Sequence, residues 1–161
     1  MEPPFLRLRA GTLREMFVGS HEHVLDDKGR TSLPKAFRSA LASLKGKAYI
    51  TALQDCLVIL PPAAFEAWRT ALTASTARLD PAAQRIRRLI LGMAAECNVD
   101  RQGRVNIPNH LLRHAGIEKD IVFMGVGEEI EVWDKSRHQS EIGEAGSQYS
   151  EDSREVLSRD G

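Results

Sequence analysis

Two ten-residue stretches decide the fold of this sequence: residues 25–34 are LDDKGRTSLP, and residues 99–108 are VDRQGRVNIP. Asp, Gly, Arg and Pro occupy the same four positions in both. The match extends outward, because residues 21–60 align with residues 95–134 at a constant offset of 74 without gaps. Such self-similarity indicates a duplication. Two copies are too few for a solenoid, so we expect two half-domains related by a pseudo-two-fold axis.

Each half contains the same series of predicted elements. A strand of alternating polarity leads into Asp-x-x-Gly-Arg, whose glycine, Gly29 or Gly103, predicts a tight turn with positive φ. A second short strand and a helix that begins near a proline follow. In the first half, Phe37, Leu41 and Leu44 form the apolar stripe of that helix. Each half then ends in a predicted strand hairpin, over residues 48–60 and 121–133.

The segments outside the repeats have a different character. Residues 136–161 hold three basic and six acidic residues and few apolar ones, which predicts a flexible acidic tail. Asp80-Pro81 predicts a helix start, and Ile86 is expected to face inward on that helix. The resulting division is a disordered N-terminal extension (1–15), a first repeat (16–62), a helical hairpin insert (63–92), a second repeat (93–135) and the tail (136–161).

Composition excludes several classes of protein. The 161-residue chain has 22 basic and 22 acidic residues, so it does not coat nucleic acid through bulk charge, although a local basic face remains open. Its two cysteines, Cys56 and Cys97, lack the CxxC spacing of a zinc site and are too few for a disulfide framework. No apolar run is long enough to cross a membrane. We expect a cytoplasmic protein without a cofactor.

The sequence resembles the MraZ family over about residues 16–135. No single motif carries the resemblance; the ordered set in both copies does. The matching segments are residues 17–19 (FVG), 25–38 (LDDKGRTSLPKAFR), 87–92 (RRLILG), 100–108 (DRQGRVNIP), 115–120 (AGIEKD) and 125–133 (GVGEEIEVW). The family's Asp-x-x-x-Arg signature falls on Asp26 with Arg30 and on Asp100 with Arg104.

The resemblance implies a fold and a function. The implied fold is α+β and β-rich, with two AbrB/SpoVT-like swapped-hairpin β-barrel halves in one chain and a helical insert. The implied function is sequence-specific DNA binding by a transcriptional regulator, expected to repress. It would act as a ring-shaped homo-oligomer on direct repeats in the promoter of a division and cell-wall gene cluster, in the nucleoid. No enzyme activity is expected, since no catalytic motif of recognisable spacing occurs.

Arginine in a turn between short strands suits DNA, because it bonds bidentately to guanine or to phosphate. The two turns differ, with Asp27-Lys28 in the first and Arg101-Gln102 in the second, so their DNA contacts need not be equal. The candidate DNA-binding residues are Lys28, Arg30, Lys35, Arg38, Arg101 and Arg104. The candidate motif-supporting residues are Asp26, Gly29, Asp100 and Gly103.

Two alternatives stay open from the residues alone. In the first, each Asp pairs with its Arg and braces the turn, with or without DNA contact. In the second, the chain is an oligomeric protein-interaction module, and the Asp-Arg turns form salt bridges between subunits. His110 and His114 share a helix face at metal-ligand spacing, but no third ligand is evident. We therefore expect a solvated helix face there and no metal site.

Overall fold

The computed structural model of the protein describes residues 16–42, 45–74 and 79–159. The predicted extension over residues 1–15 and Leu44 of the predicted helix stripe lie outside these residues. The first repeat runs through strand β1 (Phe17–Val24), strand β2 (Arg30–Ser32), helix α1 (Lys35–Ala42), strand β3 (Tyr49–Ala52) and strand β4 (Leu57–Leu60). The insert contains helices α2 (Pro62–Leu72) and α3 (Pro81–Ile90). The second repeat runs through β5 (Ala95–Glu96), β6 (Arg104–Asn106), α4 (Asn109–Ala115), β7 (Asp120–Gly127) and β8 (Ile130–Asp134), and helix α5 (Lys135–Arg159) ends the described chain.

The two repeats are interleaved. Six strands form an antiparallel sheet in the order β1-β7-β8-β4-β3-β5, and this order maps onto itself when the repeats are exchanged. Each edge strand pairs with the hairpin of the other repeat, β1 with β7 and β5 with β3. Strands β2 and β6 form a separate two-stranded sheet, again with one strand from each repeat. The pseudo-two-fold axis predicted from the duplication therefore passes between β4 and β8.

The core lies between the six-stranded sheet and the short helices of the repeats. Phe37 on α1 is buried and contacts Phe17 edge-on, with ring centroids 5.6 Å apart. Leu41 of the predicted stripe is buried as well, and so is Leu111 on α4. One apolar cluster contains buried residues of both repeats, so neither half has a core of its own.

The turns and helix ends follow local chemistry. Gly29 and Gly103 have φ values of 76° and 77°, which confirms the predicted positive-φ turns. Gly116 ends α4 in the left-handed conformation, with φ of 65°. Asp80 caps α3, since its side chain accepts a hydrogen bond from the Ala82 N–H at 2.9 Å.

The insert helices are less buried than expected. Helices α2 and α3, whose residues are all described, contain no buried side chain. Phe65 stacks on Tyr49 of β3 at 4.2 Å between ring centroids, which attaches α2 to the sheet. Ile86, predicted to face inward, is 50% exposed, so that expectation is wrong. Leu89 on α3 packs against the apolar core, whereas Ile86 on the same helix does not.

The tail differs from the flexible segment that its composition predicts. Residues 135–159 form one helix, and nearly every side chain beyond His138 is exposed. A solvated helix is supported by contacts between side chains one turn apart, as Glu155 and Arg159 make. The low apolar content predicted the lack of burial and said little about helix formation.

None of the described helices combines the length and hydropathy that a membrane crossing requires.

Glycine substitutions test the helix of the tail. Gly143 and Gly146 lie within α5, and a Cβ at either position would meet no atom within 4 Å. Replacing a helical glycine by alanine stabilises the helix by about 1 kcal/mol. We therefore expect Gly143→Ala and Gly146→Ala to raise the helical circular dichroism signal and to slow amide exchange in the tail. Amide exchange in the tail at unfolded-chain rates, before and after the substitutions, would mean that the tail is not helical in solution.

Candidate functional site

The β2–β6 ribbon brings the two predicted arginine motifs together. In its register Arg30 lies opposite Asn106, Thr31 opposite Val105 and Ser32 opposite Arg104. Thr31 and Val105 are buried, so the alternate residues of both strands face outward. Arg30 and Arg104 therefore lie diagonally on one exposed face. By strand geometry their Cα atoms are roughly 8 Å apart.

The first turn is held by one carboxylate. Asp26 Oδ1 accepts hydrogen bonds from the backbone N–H groups of Lys28 and Arg30, both at 2.9 Å. Asp26 Oδ2 accepts from Arg30 Nε at 2.9 Å. The bonds from the Arg30 backbone and then from its guanidinium hold the pKa of Asp26 below its ordinary value. Asp26 thus fixes both the turn and the base of the Arg30 guanidinium.

The second turn repeats this geometry. Asp100 Oδ1 accepts from the backbone N–H groups of Gln102 at 2.8 Å and Arg104 at 2.9 Å, and Oδ2 accepts from Arg104 Nε at 3.1 Å. The pKa of Asp100 is lowered, with the backbone N–H of Arg104 as the largest cause. The two turns also support each other across the repeats, because Leu33 N–H donates to the Gly103 carbonyl at 2.8 Å and Ile107 N–H donates to the Gly29 carbonyl at 2.9 Å.

The bracing role of the aspartates is therefore present in the structure, and it leaves part of each arginine available. Of each guanidinium, only Nε bonds to the aspartate, and the side chains of Arg30 and Arg104 remain 43% and 46% exposed. Their terminal amino groups can still donate two parallel hydrogen bonds to an acceptor pair. An aspartate that orients an arginine in this way reduces the entropy lost when the arginine binds a ligand.

The other predicted cations lie around the same ribbon. Lys28 and Arg101 are exposed in the two turns, and Lys35 is exposed at the start of α1. Arg38 behaves differently, since its side chain lies over Gly103 of the other repeat; a Cβ on Gly103 would come within 2.9 Å of Arg38 Nε. Within the described part of the chain, none of these four cations has an ion pair. The six predicted basic residues therefore lie on the ribbon, in its two turns and on α1.

The predicted solvated face of α4 is found only in part, since His110 is exposed and His114 is half-buried. His110 Nε2 lies 3.0 Å from the Met93 carbonyl oxygen, and His114 Nε2 contacts the Leu53 carbonyl oxygen. Both rings join α4 to neighbouring backbone, an outcome that helix spacing cannot reveal. Among the described residues, no three His, Cys, Asp or Glu side chains gather as metal ligands would.

A half-buried acidic group that the sequence patterns did not predict lies on the outer face of the sheet. Glu131 on β8 accepts a hydrogen bond from Trp133 Nε1 at 3.1 Å and lies 4.0 Å from the Cys56 thiol. Burial raises the pKa of Glu131, and burial with the nearby Glu131 and Glu128 carboxylates raises the pKa of Glu129 to about 7. The only sequence signal was the Glu128-Glu129 turn next to a strand glutamate.

A pH dependence of stability follows from Glu129. Because its folded pKa of about 7 exceeds the ordinary value of 4.5, the folded state holds this proton more tightly than the unfolded state. The free energy of unfolding should therefore fall as the pH rises from about 4.5 through 7. We expect Glu129→Gln to flatten that slope in urea titrations at several pH values. Glu151→Gln, at an exposed position on α5, is the control and should leave the slope unchanged.

The fold and the ribbon define a class: a duplicated chain whose two repeats exchange strands and each bring an Asp-braced arginine to one exposed ribbon. The family model described as MraZ protein matches residues 16–89 and 90–159, one repeat in each match. The chain is 39% identical over 147 residues to the transcriptional regulator MraZ of Frankia alni, covering 88% of this chain and 97% of the relative. It is 37% identical over 127 residues to that of Lachnoclostridium phytofermentans, covering 78% and 86%. It is 40% identical over 122 residues to that of Methylococcus capsulatus, covering 74% and 80%. The chain belongs to the MraZ family.

Proposed function

We propose that this chain is a sequence-specific DNA-binding transcriptional regulator, a repressor that acts as a ring-shaped oligomer on direct repeats in the promoter of a division and cell-wall gene cluster. The observation that carries the proposal is the β2–β6 ribbon, with Arg30 and Arg104 exposed on one face. A two-stranded ribbon fits the major groove of DNA. The family membership supports regulation of transcription, since the relatives carry that name.

The geometry of the ribbon suits base reading. The roughly 8 Å between the two arginine Cα atoms corresponds to two or three base steps of about 3.4 Å. Each guanidinium keeps its terminal amino groups for a guanine edge while its Asp fixes Nε. The exchange of strand partners between repeats supports the swapped-hairpin arrangement of the AbrB type.

In this proposal the cations around the ribbon attract DNA, and the net charge of the whole chain does not. The whole chain has a formal net charge of zero, but Lys28, Lys35 and Arg101 add exposed cations around the two arginines. A single ribbon has few cations and should bind weakly. Several ribbons in one ring would bind tandem repeats with avidity when the repeat spacing matches the subunit spacing.

Exposed apolar side chains support the oligomer. Val18 on β1 and its neighbour Val126 on β7 are 67% and 42% exposed on the same outer face of the sheet. Ile86 on the insert is exposed too, and helices α2 and α3 contain no buried side chain. Exposed apolar side chains that lie next to each other, as Val18 and Val126 do, are typical of surfaces that contact another protein. We therefore propose that subunits of the ring meet through this sheet face and the insert.

The protein-interaction alternative is less well supported. It needs the Asp-Arg turns as salt bridges between subunits, whereas Asp26 and Asp100 each already accept three hydrogen bonds within their own turn. Each aspartate therefore uses most of its acceptor capacity within its own turn, and only the arginine amino groups are left for a second chain.

Fluorescence anisotropy of the full chain tests the proposed function. The two probes are the promoter region upstream of its own gene and the same bases shuffled, each titrated at several salt concentrations. We expect tighter binding to the native repeats, with an affinity that falls steeply with salt because phosphate contacts release counterions. Equal and weak binding to both probes would contradict the proposal and favour the protein-interaction alternative.

A further inference from the structure

Two clefts related by the pseudo-two-fold axis flank the ribbon, and they differ in charge. The first-turn cleft, of about 410 Å³, is lined by the carboxylates of Asp26, Asp27 and Glu118 and by the cations Arg113 and Lys119. The second-turn cleft, of about 330 Å³, is lined by the cations Arg38, Lys45 and Arg101 and by one carboxylate, Asp100. Equivalent places in the fold therefore carry opposite net charge.

The difference arises at two pairs of positions that the repeat aligns. Arg38 lies over Gly103 in the second-turn cleft, and at the equivalent place Leu112 lies against Gly29. Arg101 in the second turn corresponds to Asp27 in the first. The backbone of the two turns is nearly identical, so the shape of the turn does not require these charges.

Among the described residues, no ion pair joins Arg38, Lys45 or Arg101 to a carboxylate. Nε of Arg38 is buried and has no hydrogen-bond partner in the described part of the chain. A buried donor without an acceptor lowers the stability of the protein. An anion that enters the cleft and accepts from this donor would remove that cost. Asp100 does not supply that anion, because its oxygens already accept from the turn backbone and from Arg104.

We propose that the second-turn cleft binds a phosphate group through Arg38, Lys45 and Arg101, and that the first-turn cleft does not. A phosphate offers several acceptor oxygens to a guanidinium and an ammonium that converge on it. In the DNA complex, which rests on the proposed function, this phosphate belongs to the backbone beside the bases that Arg104 reads. The ribbon then binds DNA asymmetrically, because only the cleft beside the second-repeat turn contacts the DNA backbone.

The test uses two variants whose folds should persist. Arg38→Leu places over Gly103 the residue type that the other repeat packs against Gly29. Lys45→Asn keeps a residue that tolerates the left-handed backbone found there, with φ of 59°. The matched controls are Arg113→Gln and Lys119→Gln, which remove the cations of the first-turn cleft.

Two measurements distinguish the sources of the phosphate. First, inorganic phosphate is titrated into the full chain at constant ionic strength, and the Gly103 and Gly29 amides are followed by NMR. We expect the Gly103 amide to shift, the Gly29 amide to stay, and Arg38→Leu to abolish the response. Second, the salt dependence of anisotropy is measured with both DNA probes. We expect Arg38→Leu and Lys45→Asn each to reduce the slope of log affinity against log salt concentration by about 0.9. Each should also lower the affinity for both probes by about tenfold.

The outcomes separate the inference from the proposed function. If phosphate shifts the Gly103 amide but the Arg38 and Lys45 variants bind DNA as the wild type does, the cleft binds a free phosphate-bearing molecule. The phosphate site is then supported. A Gly103 response in a protein that treats native and shuffled DNA alike overturns the proposed function but not the site. An absent Gly103 response with unchanged salt slopes overturns the inference, and so do equal effects in the two control variants.

Discussion

Replacing both Arg30 and Arg104 by alanine should reduce the affinity for the native promoter probe to the level of the shuffled probe. Each guanidinium is oriented by its aspartate at 2.9 Å or 3.1 Å and exposes its terminal amino groups on the ribbon. A bidentate contact to a base contributes about 1–3 kcal/mol of discrimination. Each single variant should therefore weaken binding to the native repeats by about tenfold to a hundredfold, measured by anisotropy at fixed salt.

The fold should survive these substitutions, because both side chains lie on the surface and exposed ion pairs contribute little to stability. Arg69→Ala is the matched control, since Arg69 also forms an exposed ion pair, with Glu66 on α2, away from the ribbon. It should leave DNA affinity unchanged. Unaltered affinity in both single ribbon variants and in the double variant would show that the ribbon is not the DNA contact.

Local sequence patterns predicted the elements of this fold but not the pairing of its strands. The repeat placed Gly29 and Gly103 in equivalent turns, and the structure gives both glycines nearly the same φ. A pattern with a period of two shows which face of a strand is buried and says nothing about its neighbour. The pairing of β1 with β7 and of β2 with β6 follows from cross-repeat packing that only the folded chain contains.

The candidate site was predictable as a set of residues and not as a geometry. The spacing of Asp26 with Arg30 suggested a braced turn, which the Nε–Oδ2 contact confirms. The position of Arg38 over the turn of the other repeat could not be read from the sequence, because its partner lies 65 residues away in the chain. In the tail, the amino-acid composition correctly predicted that the side chains are exposed. It did not predict that residues 135–159 form a helix.

Gly29→Ala should destabilise the fold much more than Gly103→Ala, although the two glycines occupy equivalent turns. Both have positive φ, which costs a residue with a Cβ about 1–2 kcal/mol. A Cβ on Gly29 would also lie 2.8 Å from the Ile107 carbonyl oxygen, a backbone atom that cannot move without disturbing β6. We expect Gly29→Ala to lower the free energy of unfolding by about 3 kcal/mol in urea titrations.

The three atoms nearest to a Cβ on Gly103 all belong to the side chain of Arg38, which can rotate away, so Gly103→Ala should cost about 1–2 kcal/mol. A double-mutant cycle separates the backbone contribution from the contact. In an Arg38→Ala background, Gly103→Ala should cost less than in the wild type, whereas Gly29→Ala should cost the same. Equal costs for both glycines in both backgrounds would mean that Arg38 does not lie over the second turn, and the asymmetry on which the phosphate cleft depends would then be lost.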